Sequence, residues 1–150
     1  MSVTRSMSNL LFKYAQIQII MDYYFSTILD CGFEEAESKA IVALKEKGFG
    51  MISEIDMRQK LNEKLGVEIQ KYKILGMCNP GFAYKALQAE EKIGTMLPCN
   101  VLVIDKGNGK TEIVAVNPLA SMMSIQNPAL GELAAEVTEI LRGIINGMKG

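Results

Sequence analysis

The sequence predicts an α+β fold in which helices cover one face of a mainly antiparallel, curved sheet. Three observations predict it: strand-like runs alternate with segments of helical periodicity, a glycine-rich hairpin turn joins two strands, and a long amphipathic helix closes the chain. The predicted order of elements is β-α-β-(α)-β-α-β-β-α. Apolar residues make up 49% of the 150 residues and charged residues 22%, which is typical of a folded globular domain.

In the first half of the chain, each element has its own signal. The first predicted strand, 22–29, is rich in aromatic and β-branched residues. The helix that follows has apolar residues at helical spacing from Phe33 to Leu44, and Gly48 stops it. A second strand is predicted over 49–55 because this run is again apolar and β-branched.

Capping signals predict three further helices. Asp56 followed by Gln59 is typical of a capping box, which opens a short helix that ends at Gly66. Asn-Pro pairs at 79–80 and 127–128 begin the other two helices. Asparagine is a strong N-cap, and proline fits the first helical position because its missing N–H has no intrahelical partner there.

The remaining strands are predicted from apolar runs. Residues 67–77 form the third strand, and 97–105 have the composition of a buried fourth strand. Residues 106–110 contain two glycines and an asparagine, which is typical of a hairpin turn, so 111–116 are expected to pair back onto the fourth strand. The Asn-Pro pair at 117–118 is then expected to mark a turn.

The chain divides into a short extension and a domain. Residues 21–150 form the predicted single α+β domain, and residues 1–20 are expected to be peripheral to it. The extension has no capping residues and no evident partner for its apolar side chains. It is a fraying terminal helix, a start assigned too early, or residues added artificially, and its removal is expected to leave the domain folded.

Composition and charge exclude several classes of function. The chain has no histidine, the commonest general base and metal ligand, so we expect no metal, no cofactor and no enzymatic activity. Its 16 Lys and Arg against 17 Asp and Glu leave no basic surface for nucleic acid. No apolar run is long enough for a membrane span. Three widely spaced cysteines favour free thiols in a reducing, cytoplasmic location.

Cys78 and Cys99 carry the candidate chemistry of the sequence. If the third and fourth strands are antiparallel neighbours, the helical excursion between them leaves and returns at the same end of the sheet and brings the two cysteines together. Cys78 also precedes the N-cap Asn79, where free backbone N–H groups and the helix dipole favour a thiolate or a bound anion. The alternative is that both cysteines are packing residues.

Two long stretches, 48–67 and 72–103, resemble the domain-of-unknown-function 302 family, and with the flanking helices the resemblance covers about residues 22–146. The resemblance implies a small α+β fold similar in topology to one half of the TATA-box-binding protein, and a dimer in solution. It implies no settled activity. The family's Cys-Asn-Pro and Leu-Pro-Cys elements match two segments of this chain, and the candidate binding or redox residues are Cys78, Asn79, Pro80, Pro98 and Cys99.

Two classes of function remain. The first is a homodimeric, non-enzymatic module that binds a small molecule or a protein, with Met122 and Met123 forming a lid or a subunit contact before the last helix. The second is a thiol-based redox or sulfur-handling protein that uses Cys78 and Cys99. An exposed Cys78 is expected to be the more acidic thiol, whereas Cys99, which enters a buried strand, is expected to resist ionisation.

Overall fold

The structure, a computed structural model, describes residues 7–11 and 22–149 of the chain. Residues 7–11 are helical and exposed, and the other positions of the predicted extension lie outside the described residues. The elements in chain order are β1 (Tyr24–Leu29), α1 (Phe33–Glu46), β2 (Gly50–Asp56), α2 (Met57–Leu65), β3 (Tyr72–Cys78), α3 (Pro80–Ala89), a 3-10 helix (Glu91–Met96), β4 (Cys99–Gly107), β5 (Lys110–Val116), α4 (Pro118–Ser121) and α5 (Pro128–Gly147).

The strands form one five-stranded sheet in the order β1-β5-β4-β3-β2. Every pair of neighbouring strands is antiparallel. The predicted turn joins β4 to β5, and Gly107, Asn108 and Gly109 all have positive φ there, a conformation that glycine and asparagine adopt most readily. The predicted α+β class with an antiparallel sheet is confirmed.

The main hydrophobic core lies between one face of the sheet and helices α1 and α5. Alternate side chains of the central strands, such as Leu75, Val101 and Ile113, are fully buried, because successive side chains of a strand point to opposite faces. Leu44 of α1 and Leu141 of α5 pack against them. The two longest helices therefore cover one face of the sheet, as the sequence predicts.

Helix caps follow the predicted signals, with one addition. Asp56 Oδ1 accepts a hydrogen bond from Gln59 N at 3.0 Å, and Gly66 ends α2 in the left-handed region with φ 67°. Asn79 caps α3 and Asn127 caps α5. The third Asn-Pro pair does not mark a simple turn, because Asn117 caps the short helix α4.

Asn117 also fixes the packing of α5. Its side chain is buried, donates to the carbonyl oxygen of Asp22 at 2.8 Å and accepts from Thr138 Oγ1 at 3.2 Å. One side chain therefore joins Asp22, two positions before β1, to the middle of α5. A buried amide needs such partners, which are set by tertiary contacts rather than by the local sequence.

The third strand differs from its prediction in where it begins. β3 starts at Tyr72 and not at Val67. Asn62 of α2 donates to the carbonyl oxygen of Val67 at 3.3 Å and to Glu68 Oε1 at 2.7 Å. Arg58 of α2 holds the same carboxylate at 3.1 Å. The segment after Gly66 is therefore bound to the preceding helix before it can enter the sheet.

Candidate functional site

The two candidate cysteines lie close together at one end of the sheet. Cys99 begins β4 and pairs with Met77 of β3, and Cys78 is the next residue, paired with Gly50 of β2. Cys99 is buried, Cys78 is half-buried, and no disulfide joins them. The antiparallel pairing of β3 with β4 brings the cysteines together, as the sequence interpretation requires.

Both cysteines line an apolar cavity of about 50 Å³. Strands β3 and β4 supply one side of the cavity, helices α3 and α5 supply two more, and residues between elements complete it. The full lining is Phe49, Met77, Cys78, Asn79, Phe82, Ala83, Leu97, Pro98, Cys99, Pro118, Met122, Leu133, Ala134 and Val137. This volume exceeds the roughly 10–15 Å³ that one water needs. The lining offers few hydrogen-bond partners to water, so an apolar group suits the cavity better.

Asn79 is the one amide side chain in this lining. Its Oδ1 accepts from Phe82 N at 3.2 Å and so satisfies a free N–H of the first turn of α3. Its Nδ2 lies against Gly48, where a Cβ would approach it to 2.9 Å and where φ is +85°. Glycine is therefore needed at position 48 for both its conformation and its space.

Pro80 is the candidate residue that the structure separates from the others. It is exposed and occupies the first position of α3, and it is not part of the cavity lining. Its place follows from its chemistry, because proline at that position loses no hydrogen bond. Of the five candidate residues, four line the cavity and Pro80 begins the adjoining helix.

Pro98 lines the cavity and also packs against β3. The Leu97-Pro98 peptide bond is cis, and the Pro98 ring lies over Gly76 of β3. A Cβ at position 76 would approach Pro98 Cγ to 2.7 Å and Ser53 Oγ to 2.0 Å. The close approach of Pro98 and Ser53 therefore depends on the absence of a side chain at Gly76.

Burial controls the protonation of Cys99. It raises the pKa of the Cys99 thiol to about 11, and the nearby Cys78 adds to this rise because two thiolates repel each other. Cys99 therefore stays a neutral thiol at physiological pH, in line with the expectation from its buried strand. The cavity contains no carboxylate or ammonium group that would stabilise a thiolate or act as an acid or base.

Sequence reasoning missed the contribution of α5. Leu133, Ala134 and Val137 form one side of the cavity, and the sequence identified all three only as part of the apolar stripe of the last helix. Met122, which was expected in a lid or subunit contact, also lines the cavity. Its neighbour Met123 is 58% exposed.

The other end of the core is closed by ion pairs. Lys73 Nζ lies 2.8 Å from Glu54 Oε1 and 3.1 Å from Glu37 Oε1, and the hydrogen bond with Glu54 is the main cause of the raised pKa of Lys73. Lys71 and Lys73 both lie over the Phe33 ring, 5.6 and 5.9 Å from its centroid. Such contacts between cations and an aromatic face are favourable.

Two properties of the described residues complete the picture of the candidate site. No group of three or more Cys, Asp or Glu side chains in them is arranged to hold a metal ion. Over the same residues, no helix combines the length and the apolar character that crossing a bilayer requires.

Comparison with known proteins gives one consistent result. The model of the family described as "Domain of unknown function DUF302" matches residues 25–148. The crystal structure of an uncharacterized conserved DUF302 protein from Bacillus stearothermophilus is similar, with a TM-score of 0.76 and 28% sequence identity over 84% of this chain and 98% of that one. No functionally curated protein matches the sequence. Because the family model covers most of the chain, the protein belongs to the DUF302 family.

Proposed function

We propose that the protein is a non-enzymatic binding module that takes a small apolar molecule, or the apolar end of a larger one, into the cavity beside Cys78 and Cys99. The single observation that carries this proposal is the cavity itself, an apolar space at one end of the core that protein side chains do not occupy. Protein interiors leave few voids larger than a water molecule. A void at this position is therefore a candidate binding site.

The chemistry of the lining supports binding rather than catalysis. Most lining side chains are aliphatic, aromatic or sulfur-containing, and Asn79 already uses its oxygen to cap α3. General acid-base catalysis needs a titratable group that exchanges protons near neutral pH. Cys99, with a pKa raised to about 11, does not meet that requirement.

A homodimer is the second part of the proposal. Support comes from large apolar side chains that one copy of the chain leaves exposed, among them Met123, since exposed apolar groups gain free energy when a second copy covers them. The balance of acidic and basic residues supports a partner other than nucleic acid. Light scattering tests this part, and a mass that stays near 16.5 kDa at every concentration contradicts it.

Thermal shift measurements with small apolar probes, such as benzene and short alkanols, test the cavity. We expect a probe that binds to raise the Tm in a concentration-dependent way, because ligands that bind only the folded state stabilise it. Ala134→Leu places a larger side chain in the cavity and is expected to abolish the shift. Ala129→Leu, at an exposed position of the same helix, is the matched control and is expected to keep it.

Thiol chemistry is the second candidate function, and the closeness of Cys78 to Cys99 favours it. In this alternative, the Cys78 thiolate attacks an added disulfide oxidant, breaking its S–S bond and releasing one thiol as a mixed disulfide forms. Cys99 then attacks the Cys78 sulfur and releases the second thiol, so that the oxidant gains two electrons and the two protons of the cysteine thiols. The raised pKa of Cys99 makes it a poor nucleophile. Alkylation separates the candidates: a Cys78 that reacts with iodoacetamide no faster than the thiol of free cysteine supports the binding module.

Rapid alkylation of Cys78 at pH 6–7 would favour the redox candidate instead. Under mild oxidant, that candidate also requires a disulfide between Cys78 and Cys99 that Cys78→Ser abolishes. Cys31→Ser is the matched control, because Cys31 is also half-buried and lies outside the cavity lining.

A further inference from the structure

The face of the sheet that points away from α1 and α5 is largely apolar. Cross-strand pairing fixes which side chains share this face, because residues directly opposite each other on neighbouring strands point the same way. The central row runs across all five strands through Ser26, Val114, Leu102, Ile74 and Ile55. The next row contains Ile28, Glu112, Ile104 and Tyr72. We call this surface the open face.

The open face exposes large side chains that the core of a single copy does not use. Ile28 is 55% exposed, Ile55 is 42% exposed and Tyr24 is 38% exposed. An isolated exposed apolar residue needs no explanation, but a contiguous patch of them marks an interaction surface. These three lie on the two edge strands. The rows that contain Ile28 and Ile55 are mostly aliphatic or aromatic, whereas the row of Tyr24 and Val116 continues through Asn100, Gly76 and Ser53 and forms a more polar rim.

Charge on the open face is already balanced within one copy. Glu112 is the one carboxylate in the two rows, its side chain is only 20% exposed, and Lys106 Nζ lies 3.7 Å from its Oε1. A partner therefore needs no opposite charge, because these two rows contain no cluster of side chains with the same charge. An apolar and electrically neutral surface can pair with an identical surface.

The size of the open face suits a modest dimer. Five strands spaced about 4.8 Å apart give a width of about 24 Å, and six residues at about 3.3 Å each give a length of about 20 Å. Each copy would then contribute about 500 Å² and the two together about 1,000 Å², the lower limit for a specific interface. Such an interface is expected to form at micromolar rather than nanomolar concentration.

We infer that the open face is where a second copy of this chain binds, sheet against sheet, about a two-fold axis near Leu102. This inference rests on the homodimer proposed above and goes beyond it by assigning its interface. Two sheets that pack face to face lie about 10 Å apart, with their side chains interdigitated. The sheet then has a helical layer on one side and a second sheet on the other.

Sedimentation velocity on the full chain, from micromolar to several hundred micromolar, tests the assignment. We expect the mass to rise from 16.5 kDa to twice that value. Ile28→Glu and Ile55→Glu each place a charge in the interface and are expected to weaken the dimer by at least about 100-fold, since an unpaired buried charge costs several kcal/mol. Val42→Glu, at a position 57% exposed on α1, is the matched control.

The outcomes separate the interface from the dimer itself. A dimer that Ile28→Glu and Ile55→Glu disrupt and Val42→Glu leaves intact supports the inference. A dimer that survives both open-face variants overturns this interface and leaves the proposed homodimer standing. A chain that is monomeric at every concentration overturns both, including the case in which residues 1–21 cover the open face of the same copy.

A measurement without substitution protects against a variant that fails to fold. Methyl signals of Ile28, Ile55, Ile74 and Ile104 in the unsubstituted protein are expected to shift with protein concentration in NMR spectra. Signals of Ile93 and Ile113, which are fully buried in the core, are the internal control and are expected to stay constant. Shifts confined to other surfaces would contradict the assignment of the open face.

Discussion

The two ends of β3 differ in how they complete the core. At the end that contains Lys73, two carboxylates and the Phe33 ring surround the ammonium group. At the end that contains Cys78, apolar side chains surround a cavity that no protein side chain occupies. Both ends belong to the same strand and face neighbouring parts of the same helical layer.

This difference separates stability from function. At the Lys73 end, the ammonium group and its two carboxylate partners are paired, and this pairing contributes to the stability of the fold. Substitutions at that end should therefore affect stability alone. An unfilled apolar cavity forgoes packing contacts that a filled one would have. A protein keeps such a void at a cost in stability, which is understandable when the void binds something. Substitutions at the two ends should therefore have different consequences.

The largest effect is expected from Gly76→Ala, beside the cavity. The new Cβ would come within 2.7 Å of the rigid Pro98 ring and 2.0 Å of Ser53 Oγ, and only the serine can move away easily. We expect a loss of about 2–3 kcal/mol of folding free energy, the upper part of the usual range for overpacking. Urea unfolding measures it. Gly143→Ala, where no atom lies within 4 Å of the added Cβ, should not destabilise the protein.

The next effect concerns alkaline pH. The pKa of Cys99 is about 11 in the folded state against 9.0 for an unperturbed thiol, so the folded state holds this proton more tightly. The resulting stabilisation is complete below pH 9 and is lost as the pH rises to 11, by about 2–3 kcal/mol at 1.36 kcal/mol per pKa unit. Unfolding free energies measured between pH 8 and 11 should show this loss.

Variants distinguish the source of that loss. Cys99→Ala is expected to be less stable than wild type at pH 8 and to lose less of its stability between pH 9 and 11. Cys31→Ala should retain the wild-type pH dependence, because Cys31 lies outside the cavity. If Cys99→Ala shows the same alkaline loss as wild type, the buried thiol is not its cause.

A smaller effect is expected at the Lys73 end. Lys73→Met removes the cation between Glu37 and Glu54 and should cost about 1–2 kcal/mol, less than for a fully buried pair because the site is partly open to water. The raised pKa of Lys73 means that its stabilisation is complete below pH 10.5 and declines above it. Lys92→Met, at an exposed pair, should change stability by less than about 0.5 kcal/mol.

The smallest change in stability is expected from Ala134→Leu, which should nevertheless have the clearest effect on binding. Filling a cavity typically gains up to about 1 kcal/mol when the new side chain fits. The same variant should lose the thermal shift caused by apolar probes. A variant that is destabilised by more than about 3 kcal/mol would show that the cavity cannot accept the side chain, and Ala83→Val would then replace it.

The sequence predicts most of the fold because its helix boundaries are encoded locally. Asp56 and Asn79 each accept a hydrogen bond from an N–H group three residues further along the chain, so their role is visible in a short stretch of sequence. The closeness of Cys78 and Cys99 could also be predicted, because the two strands that carry them are consecutive in the sheet, antiparallel and joined by a helical connection. Such features need no knowledge of distant packing.

The remaining features depend on contacts between distant residues. Glu37 and Lys73 are separated by 36 positions, and Asn117 bonds to Asp22 across 95 positions. The side of the cavity formed by α5 is of this kind, because an apolar stripe does not reveal which part of the sheet it faces. The predicted start of β3 was wrong for a similar reason, because side chains of α2 bind the segment between α2 and β3.

Exposure of a crystal to xenon gas tests the central claim most directly. Xenon is apolar, needs no hydrogen bond and enters cavities of this character. We expect one dominant xenon atom between Cys99 and Ala134 in the wild-type protein and none at that position in Ala134→Leu crystals. Xenon bound only elsewhere, or a wild-type cavity that ordered water fills instead, would contradict the proposal that this end of the core binds an apolar molecule.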